Sequence, residues 1–432
     1  MSTMEQSKHL LVFSYYFPPN DGVGGRRWAK FAYYLAQKGY KITIVTTQVY
    51  SKETSFWVND IHPKVEIIRL HDKYPDALLN PVNNLISKLK YRFSLAKVKR
   101  KTKGNMYDVS VFTQPEIDSR IREYIISNNI KNIIVSGTPF AYFYYITNLA
   151  QTIKGLNVIL DYRDLWTDSK HHYGQNVRKT QGVERFSEEQ RMEDSSLNKC
   201  QHVFVVSRDL KEILELNHPQ IKNKITIIPN GFDVRDNEIE FSISTEPLLL
   251  AKSKTIVFSY FGTINCGQAY YLKLLNALQE LTREWNNKGY HVSVNFYGNT
   301  NKSFEADVRN LNNPWISNKP RLSMNQMAEV AHTSDFLLYI KREDELPNSF
   351  ATKFYDYLRF RKFIVILSPL GDVTDFVQDN KIGLVLQENE ISKTLDQLLS
   401  KFVNSGLEFN KDADFSEFNI ECISNKIENY LI

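Results

Sequence analysis

The chain is 432 residues long, with 42% hydrophobic and 24% charged residues and a net charge of +5. That length exceeds one ordinary core and implies two domains, and the balance is that of a globular protein, not a disordered or fibrous one. No apolar stretch nears the roughly 20 residues that span a bilayer, no signal peptide is expected, and the scattered Cys200, Cys266 and Cys422 suggest neither a disulfide framework nor a zinc site.

The first half alternates two signals. HLLVFSYY over 9–16 reads as a buried strand. From Arg27 to Gly39, apolar residues at Trp28, Phe31, Ala32 and Leu35 mark one helix face, with Gly39 as its C-cap. Strands follow at KITIVTT, VEIIRL, NIIVSG, NVILDYRD, HVFVVS and KITIIPNG, with helical stretches between them. Residues 232–254 have no firm period and read as an interdomain linker. The alternation then resumes with TIVFSYFGT, a helix over 268–285, VSVNFYG, a helix near 325–331, DFLLYI, a helix over 351–361, FIVILS and GLVL. Residues 415–432 read as a terminal amphipathic helix. Strands alternating with helices predict parallel sheets covered on both faces. The expected fold is α/β, with two doubly wound domains in tandem.

Within the first half, every charged side chain from Lys88 to Lys103 is basic: Lys88, Lys90, Arg92, Lys97, Lys99, Arg100, Lys101 and Lys103. A solvated face fits this run, and so does a patch for anionic lipid headgroups, with Tyr91, Phe93 and Leu95 adding apolar contact. Nothing reads as a nucleic-acid recognition element.

Ligands of open parallel sheets sit beyond the carboxyl ends of the strands, so candidate residues are sought there. Gly22, Gly24 and Gly25 follow the first strand and precede a helix. They permit close backbone approach, the helix start offers unpaired N–H groups, and Arg26 and Arg27 add charge. The dinucleotide fingerprint is incomplete, because Arg27 stands where its third glycine belongs and no acid ends KITIVTT. A structural turn is the alternative. Asp161, Arg163 and Asp164 end the NVILDYRD strand. An acid beside arginine is held ionised, and arginine suits phosphate; a structural ion pair is the alternative. Gly262, Thr263 and Asn265 follow the first strand of the second half, and Gly298 follows the next. In LPNSFATKFYDYL, Asn348 and Ser349 open a loop, and Lys353 and Asp356 share a helix face three residues apart. The lysine there can reach a phosphate and the carboxylate sugar hydroxyls, or the two form a surface ion pair.

The segments SYYFPPNDGVGGRRWAKFAYYLAQKGYKITIVTT, VSGTPFA, DYRDLW, VVSRDL, ITIIPNGFD, FSYFGTI and ATKFYDYLRFRKFIVILS stand in an order that resembles the GT-B glycosyltransferases. The likeness is to family 4, the retaining, nucleotide-sugar-dependent group of polysaccharide assembly. It implies two Rossmann-like domains facing across a cleft: an acceptor-binding domain over 1–235 and a nucleotide-sugar-binding domain over 236–414. A helix over 415–432 would cross back onto the first. The implied donor-binding residues are Gly24, Gly25, Arg27, Gly262, Thr263, Asn265, Gly298, Asn348, Ser349, Lys353 and Asp356. Asp161, Arg163 and Asp164 are the catalytic candidates, and the glycines and arginines of the opening would let a donor diphosphate approach across the cleft.

The implied partners are a nucleotide-sugar donor and a glycan or lipid-linked saccharide acceptor, with no nucleic acid. The expected location is cytoplasmic, peripheral on the inner membrane face through Lys88–Lys103. No cofactor is expected beyond the nucleotide sugar as co-substrate, and with no HExxH pair and no P-loop, no metal. Three departures from the family pattern stand out. Asp356 holds the second place of its Glu-x7-Glu element, but Asn348 holds the first. The basic pair usual after the Gly-Thr is missing, Lys273 being the first cation. FAYFYY follows VSGTP where relatives carry a histidine. A sugar-nucleotide epimerase, or a catalytically degenerate sugar-nucleotide-binding scaffold, are the alternatives.

Overall fold

Seven strands form the first sheet: β1 (His9–Ser14), β2 (Lys41–Thr47), β3 (Glu66–Leu70), β4 (Asn132–Ser136), β5 (Asn157–Tyr162), β6 (His202–Val205) and β7 (Ile225–Ile227). They run parallel in the order β3-β2-β1-β4-β5-β6-β7. The computed structural model that shows this describes residues 8–20, 23–48, 56–71, 74–79, 84–103, 109–168, 172–236, 248–249, 251 and 253–432. β1, β4 and β5 are buried along their whole length, as strands covered on both faces must be. Leu10, Val12, Ile42 and Ile44 pack with Trp28, Phe31 and Leu35 of the Val23–Gln37 helix. That helix begins four residues before the expected start at Arg27. Gly24 and Gly25 therefore lie in its first turn, not in a loop ahead of it; Gly22 lies outside the described residues.

The last helix, Ile420–Glu428, joins the same core through Ile423 and Ile427. Its tail is held by hydrogen bonds to the buried starts of two strands. Asn132 Nδ2 donates to the Ile432 carbonyl at 2.7 Å and Asn132 Oδ1 accepts from the Ile432 amide at 2.9 Å. Asn157 Nδ2 donates to the Tyr430 carbonyl at 2.7 Å.

The chain divides by contacts into Met1–Pro229 with Ile420–Ile432, and Asn230–Asn419. The boundaries thus fall earlier than 235/236 and later than 414/415. The reason is local to the second unit. Phe232 N–H donates to the Phe418 carbonyl at 2.8 Å, Phe232 bridges to Asn419, and Phe232, Phe415 and Phe418 share a core. Residues 232–236 of the expected linker are therefore ordered parts of that unit, while 237–247, 250 and 252 lie outside the described residues.

In the second unit a short antiparallel ribbon pairs β8 (Leu248–Leu249) with β15 (Leu407–Glu408). The main sheet holds β9 (Thr255–Phe261), β10 (His291–Tyr297), β11 (Ile316–Lys319), β12 (Phe336–Ile340), β13 (Phe363–Leu367) and β14 (Gly383–Leu386). It is parallel, in the order β11-β10-β9-β12-β13-β14. Alternate residues serve two cores. Phe258, Tyr260, Val294, Phe296 and Leu338 pack under the Gln268–Asn287 and Ile391–Asn404 helices, whereas Leu337, Tyr339, Ile364 and Ile366 face the Thr352–Phe360 helix. Edge strand β11, ISNK, has no apolar alternation and was not expected. Strand order reverses beside β1 in the first sheet and beside β9 in the second, which are the switch points where such sheets bind ligands. Among the described residues no helix is long and apolar enough to cross a membrane.

Candidate functional site

In the first unit, the strand-end residues are tied chiefly to one another. Asp161 is fully buried at the end of β5. Its Oδ1 accepts from Arg27 Nη2 at 2.8 Å, and its Oδ2 accepts from Arg27 Nε at 3.1 Å, Trp28 Nε1 at 2.8 Å and Ser136 Oγ at 2.9 Å. Arg27 is 4% exposed and also donates to the carbonyls of Ile228 (2.8 Å) and Pro229 (2.8 Å). A bidentate buried pair with its remaining lone pairs and protons satisfied is a brace between the helix, β5 and the end of the sheet. Asp161 is therefore not a group a substrate can touch, and Arg27 is not a phosphate cation. Both sequence expectations are corrected by burial.

The first-turn glycines have a similar explanation. A Cβ on Gly24 would stand 2.7 Å from Arg163 Nη1, and one on Gly25 would stand 2.6 Å from the Tyr16 carbonyl oxygen. The close approach that these glycines allow in this structure is to the protein itself, with Gly25 buried and Gly24 half-buried. Arg163 bridges the first turn and β4, with Nη1 donating to the Gly24 carbonyl at 2.8 Å and Nε to the Gly137 carbonyl at 2.6 Å. Burial pulls its pKa down, while Asp161 and Asp164 oppose that. Asp164 is exposed.

The second unit gathers its candidates more closely. Gly262 (φ +111°) and Gly298 (φ +74°) end β9 and β10 in left-handed conformations that L side chains rarely adopt. Their amides donate to the carbonyls of Tyr297 (2.9 Å) and Lys319 (3.0 Å), so each loop leaves the sheet at a fixed angle. Asn299 is buried and its Oδ1 accepts from the Ile264 amide at 3.0 Å, joining the two loops. Thr263 Oγ1 meets Thr300 Oγ1 at 3.0 Å, whereas Asn265 is exposed. Gly267 precedes the Gln268–Asn287 helix, and its amide donates to both carboxylate oxygens of Glu343, at 3.2 and 3.3 Å.

Lys353 stands in the first turn of the Thr352–Phe360 helix, where the rings of Tyr260 (4.6 Å) and Tyr339 (5.7 Å) enclose its ammonium. Nζ donates to the Tyr260 hydroxyl, which itself donates to the Thr263 carbonyl at 3.1 Å. Burial pulls the Lys353 pKa down to about 8, against the opposing charge of Glu345. Asp356 follows three residues on and is buried. Gly262, Thr263 and Lys353 are thus brought together by one tyrosine that the sequence did not single out. A tyrosine within a buried strand reads as core, and only its hydroxyl's position reveals the second role.

The loop after β12 depends on a second missed residue. Lys341, 1% exposed, donates to the carbonyls of Leu346 (2.5 Å), Pro347 (3.0 Å) and Ser349 (2.6 Å). It gathers the PNS turn around one ammonium. Asn348 Oδ1 accepts from the Asp372 amide at 3.2 Å, at the start of the next helix, so its carbonyl oxygen serves the turn.

No protein-family model matches the chain, and no curated protein sequence does. Solved structures resemble it over nearly its whole length. A glycosyltransferase from Rickettsia africae shares 13% identity with a TM-score of 0.61, over 98% of both chains. The lipopolysaccharide outer core galactosyltransferase WaaB shares 9% at 0.57, again over 98% of both. A Listeria monocytogenes protein named as a UDP-N-acetylglucosamine 2-epimerase shares 11% at 0.55, over 98% of this chain and 95% of that one. At these identities the likeness is one of fold: two parallel-sheet Rossmann-like domains, as in the GT-B glycosyltransferases.

Proposed function

We propose that the protein is a glycosyltransferase that moves a sugar from a nucleotide-sugar donor to a glycan or lipid-linked saccharide in bacterial cell-surface polysaccharide assembly, with retention at the anomeric carbon. The observation that carries this is the enclosed Lys353 ammonium beside the left-handed turn at Gly262, at the carboxyl end of the second sheet. Transfer from a nucleotide sugar needs little covalent help. It needs the negative charge that grows on the departing diphosphate to be met by fixed positive groups in a site poor in water. A desolvated ammonium serves there better than one free in solvent, because it is positioned beforehand and its field is little screened. Asp356, on the same helix, suits the hydroxyls of a ribose or sugar. In this reading Arg163 and Asp164 act at the acceptor side, no metal takes part, and the reaction occurs at the cytoplasmic face of a membrane.

The shared fold includes an epimerase, so fold does not choose the reaction. An epimerase acts on the nucleotide sugar alone, whereas a transferase needs a separate acceptor, so turnover with and without acceptor separates the two. The test is a panel of nucleotide sugars and nucleoside diphosphates screened for thermal stabilisation, followed by release of nucleoside diphosphate from the best donor. A ligand at about 100 times its Kd should add about 2.7 kcal/mol of stability. Stabilisation with slow donor hydrolysis supports the transferase. Binding with no turnover under any acceptor supports the scaffold, and no stabilisation by any nucleotide refutes the reading.

A further inference from the structure

The Leu85–Lys101 helix has two apolar stripes on opposite sides. Tyr91, Leu95 and Val98, spaced by four and three residues, form one; Val98 is fully buried and Leu95 half-buried against the first unit. Ile86, Leu89 and Phe93, spaced by three and four, form the other, with Leu85 one turn before Leu89. These four are 68%, 68%, 81% and 83% exposed for Ile86, Leu89, Phe93 and Leu85 respectively. Of the residues expected to join Phe93, Leu95 is drawn half inside, while Tyr91 stays 38% exposed on the side away from Phe93.

The outer stripe has cations on both flanks. Lys90 and Lys97 run along one side, Lys88, Arg92 and Lys99 along the other. None of these five has an acidic partner among the described residues. The inner end is anchored, with Lys103 paired to Glu188 at 2.5 Å, Lys101 over the Phe112 ring at 4.4 Å, and Thr102 Oγ1 donating to the Val98 carbonyl at 2.9 Å. Asn84 caps the outer end by accepting from the Ser87 amide at 2.7 Å. The helix is thus capped at both ends and packed through Val98, yet it shows four large apolar side chains to solvent.

We propose that this outer face docks the protein on an anionic phospholipid bilayer, with Leu85, Ile86, Leu89 and Phe93 entering the headgroup region and the flanking cations meeting lipid phosphates. Apolar insertion bordered by long basic side chains is the arrangement that holds a helix in the plane of an interface. Charge selects the occupant. Two copies of this face would bring their basic flanks together and repel, and a nucleic acid would leave the four apolar side chains without a partner. The inference rests on the proposed reaction at a membrane face and deepens it by naming the face that adsorbs, and its test reads adsorption apart from transfer.

The test uses the full chain with vesicles of phosphatidylcholine alone or with one third phosphatidylglycerol. Wild type should sediment with the anionic vesicles at low salt and be released near 1 M salt, where screening acts over about 3 Å. Lys90→Gln with Lys97→Gln should weaken partitioning about 25-fold, some fivefold per cation removed. In Phe93→Trp, the added fluorescence over the wild-type background should shift blue and be quenched by bromine-labelled acyl chains. Nucleoside diphosphate binding, followed in the same samples, separates failure of docking from failure of the transferase reading. Equal sedimentation with neutral and anionic vesicles, or an added indole emission in Phe93→Trp that the brominated chains leave unquenched, overturns the proposal. So does a dimer that Leu89→Ser with Phe93→Ser dissolves, which would give the face to a second copy.

Discussion

Replacing Lys353 by methionine should make the fold more stable while abolishing donor binding. Burial takes the ammonium from 10.5 to about 8, which corresponds to roughly 3 kcal/mol of disfavoured charge. The residue keeps some accessible surface and the Tyr260 and Tyr339 rings favour the cation, so about 2 kcal/mol is the expected gain on removal. Methionine has a similar stem, and the Tyr260 hydroxyl keeps its bond to the Thr263 carbonyl. The sign with pH follows from the lowered value. Below pH 8 folded and unfolded chains both hold the proton, and wild type bears the full cost. Between about 8 and 10.5 the folded lysine is neutral while the unfolded one is charged, so wild type gains stability as pH rises and the difference closes. Urea denaturation of both proteins at pH 7 and pH 10, with a nucleoside diphosphate titration at pH 7, measures all of this. A methionine variant that is less stable at pH 7, or equally advantaged at both pH values, refutes the electrostatic account. Unchanged nucleotide affinity refutes the assigned role.

Three further outcomes follow from the same kind of reasoning. Glu193 is buried with Thr167 donating from its amide and hydroxyl, its Oε1 without a partner, and its pKa raised to about 7 by burial. Stability should therefore fall by about 3 kcal/mol as pH rises from 4.5 through 7, where the unfolded chain ionises first; Glu193→Gln should flatten that slope in urea titrations, and parallel slopes would contradict it. Gly25→Ala should cost about 1–3 kcal/mol because its Cβ meets backbone at Tyr16, and Gly24→Ala less because its Cβ meets the movable end of Arg163; thermal unfolding in the reverse order would contradict this. Asp161→Asn should cost about 3–5 kcal/mol by leaving Arg27 buried without its counter-charge. A variant of full stability that lost only turnover would restore Asp161 as a catalytic group.

Much of the architecture was legible because it is written in short periods. All seven strands of the first sheet, and five of the six in the second, announce themselves as apolar runs between helical patterns. β11 does not, since ISNK at a sheet edge has one face to bury and little to bury it with. The helices over 302–310, 372–379 and 391–404 carry a weaker signal than the apolar strands they follow, and only the structure shows them. Lys353 and Asp356 were legible as neighbours because three residues along a helix fix a shared face before any packing.

What depended on tertiary structure was the destination of each polar group. Arg27 looked like a cation for phosphate until β5, 134 residues away, supplied the carboxylate that takes it inside. Asn132 and Asn157 look ordinary at the start of two strands until the chain's final residues, as much as 300 positions later, arrive to use their amides. Lys341 lies within eight residues of the carbonyls it binds, yet their convergence depends on backbone directions that residue identities do not carry. The basic run shows the same division: sequence supplied the apolar side chains and their cations, and only packing could draw Val98 and Leu95 inward and leave Leu85, Ile86, Leu89 and Phe93 exposed. Periodicity is local, so the chain states it openly. Which donor meets which acceptor is a property of distance in space, and the fold alone sets that distance.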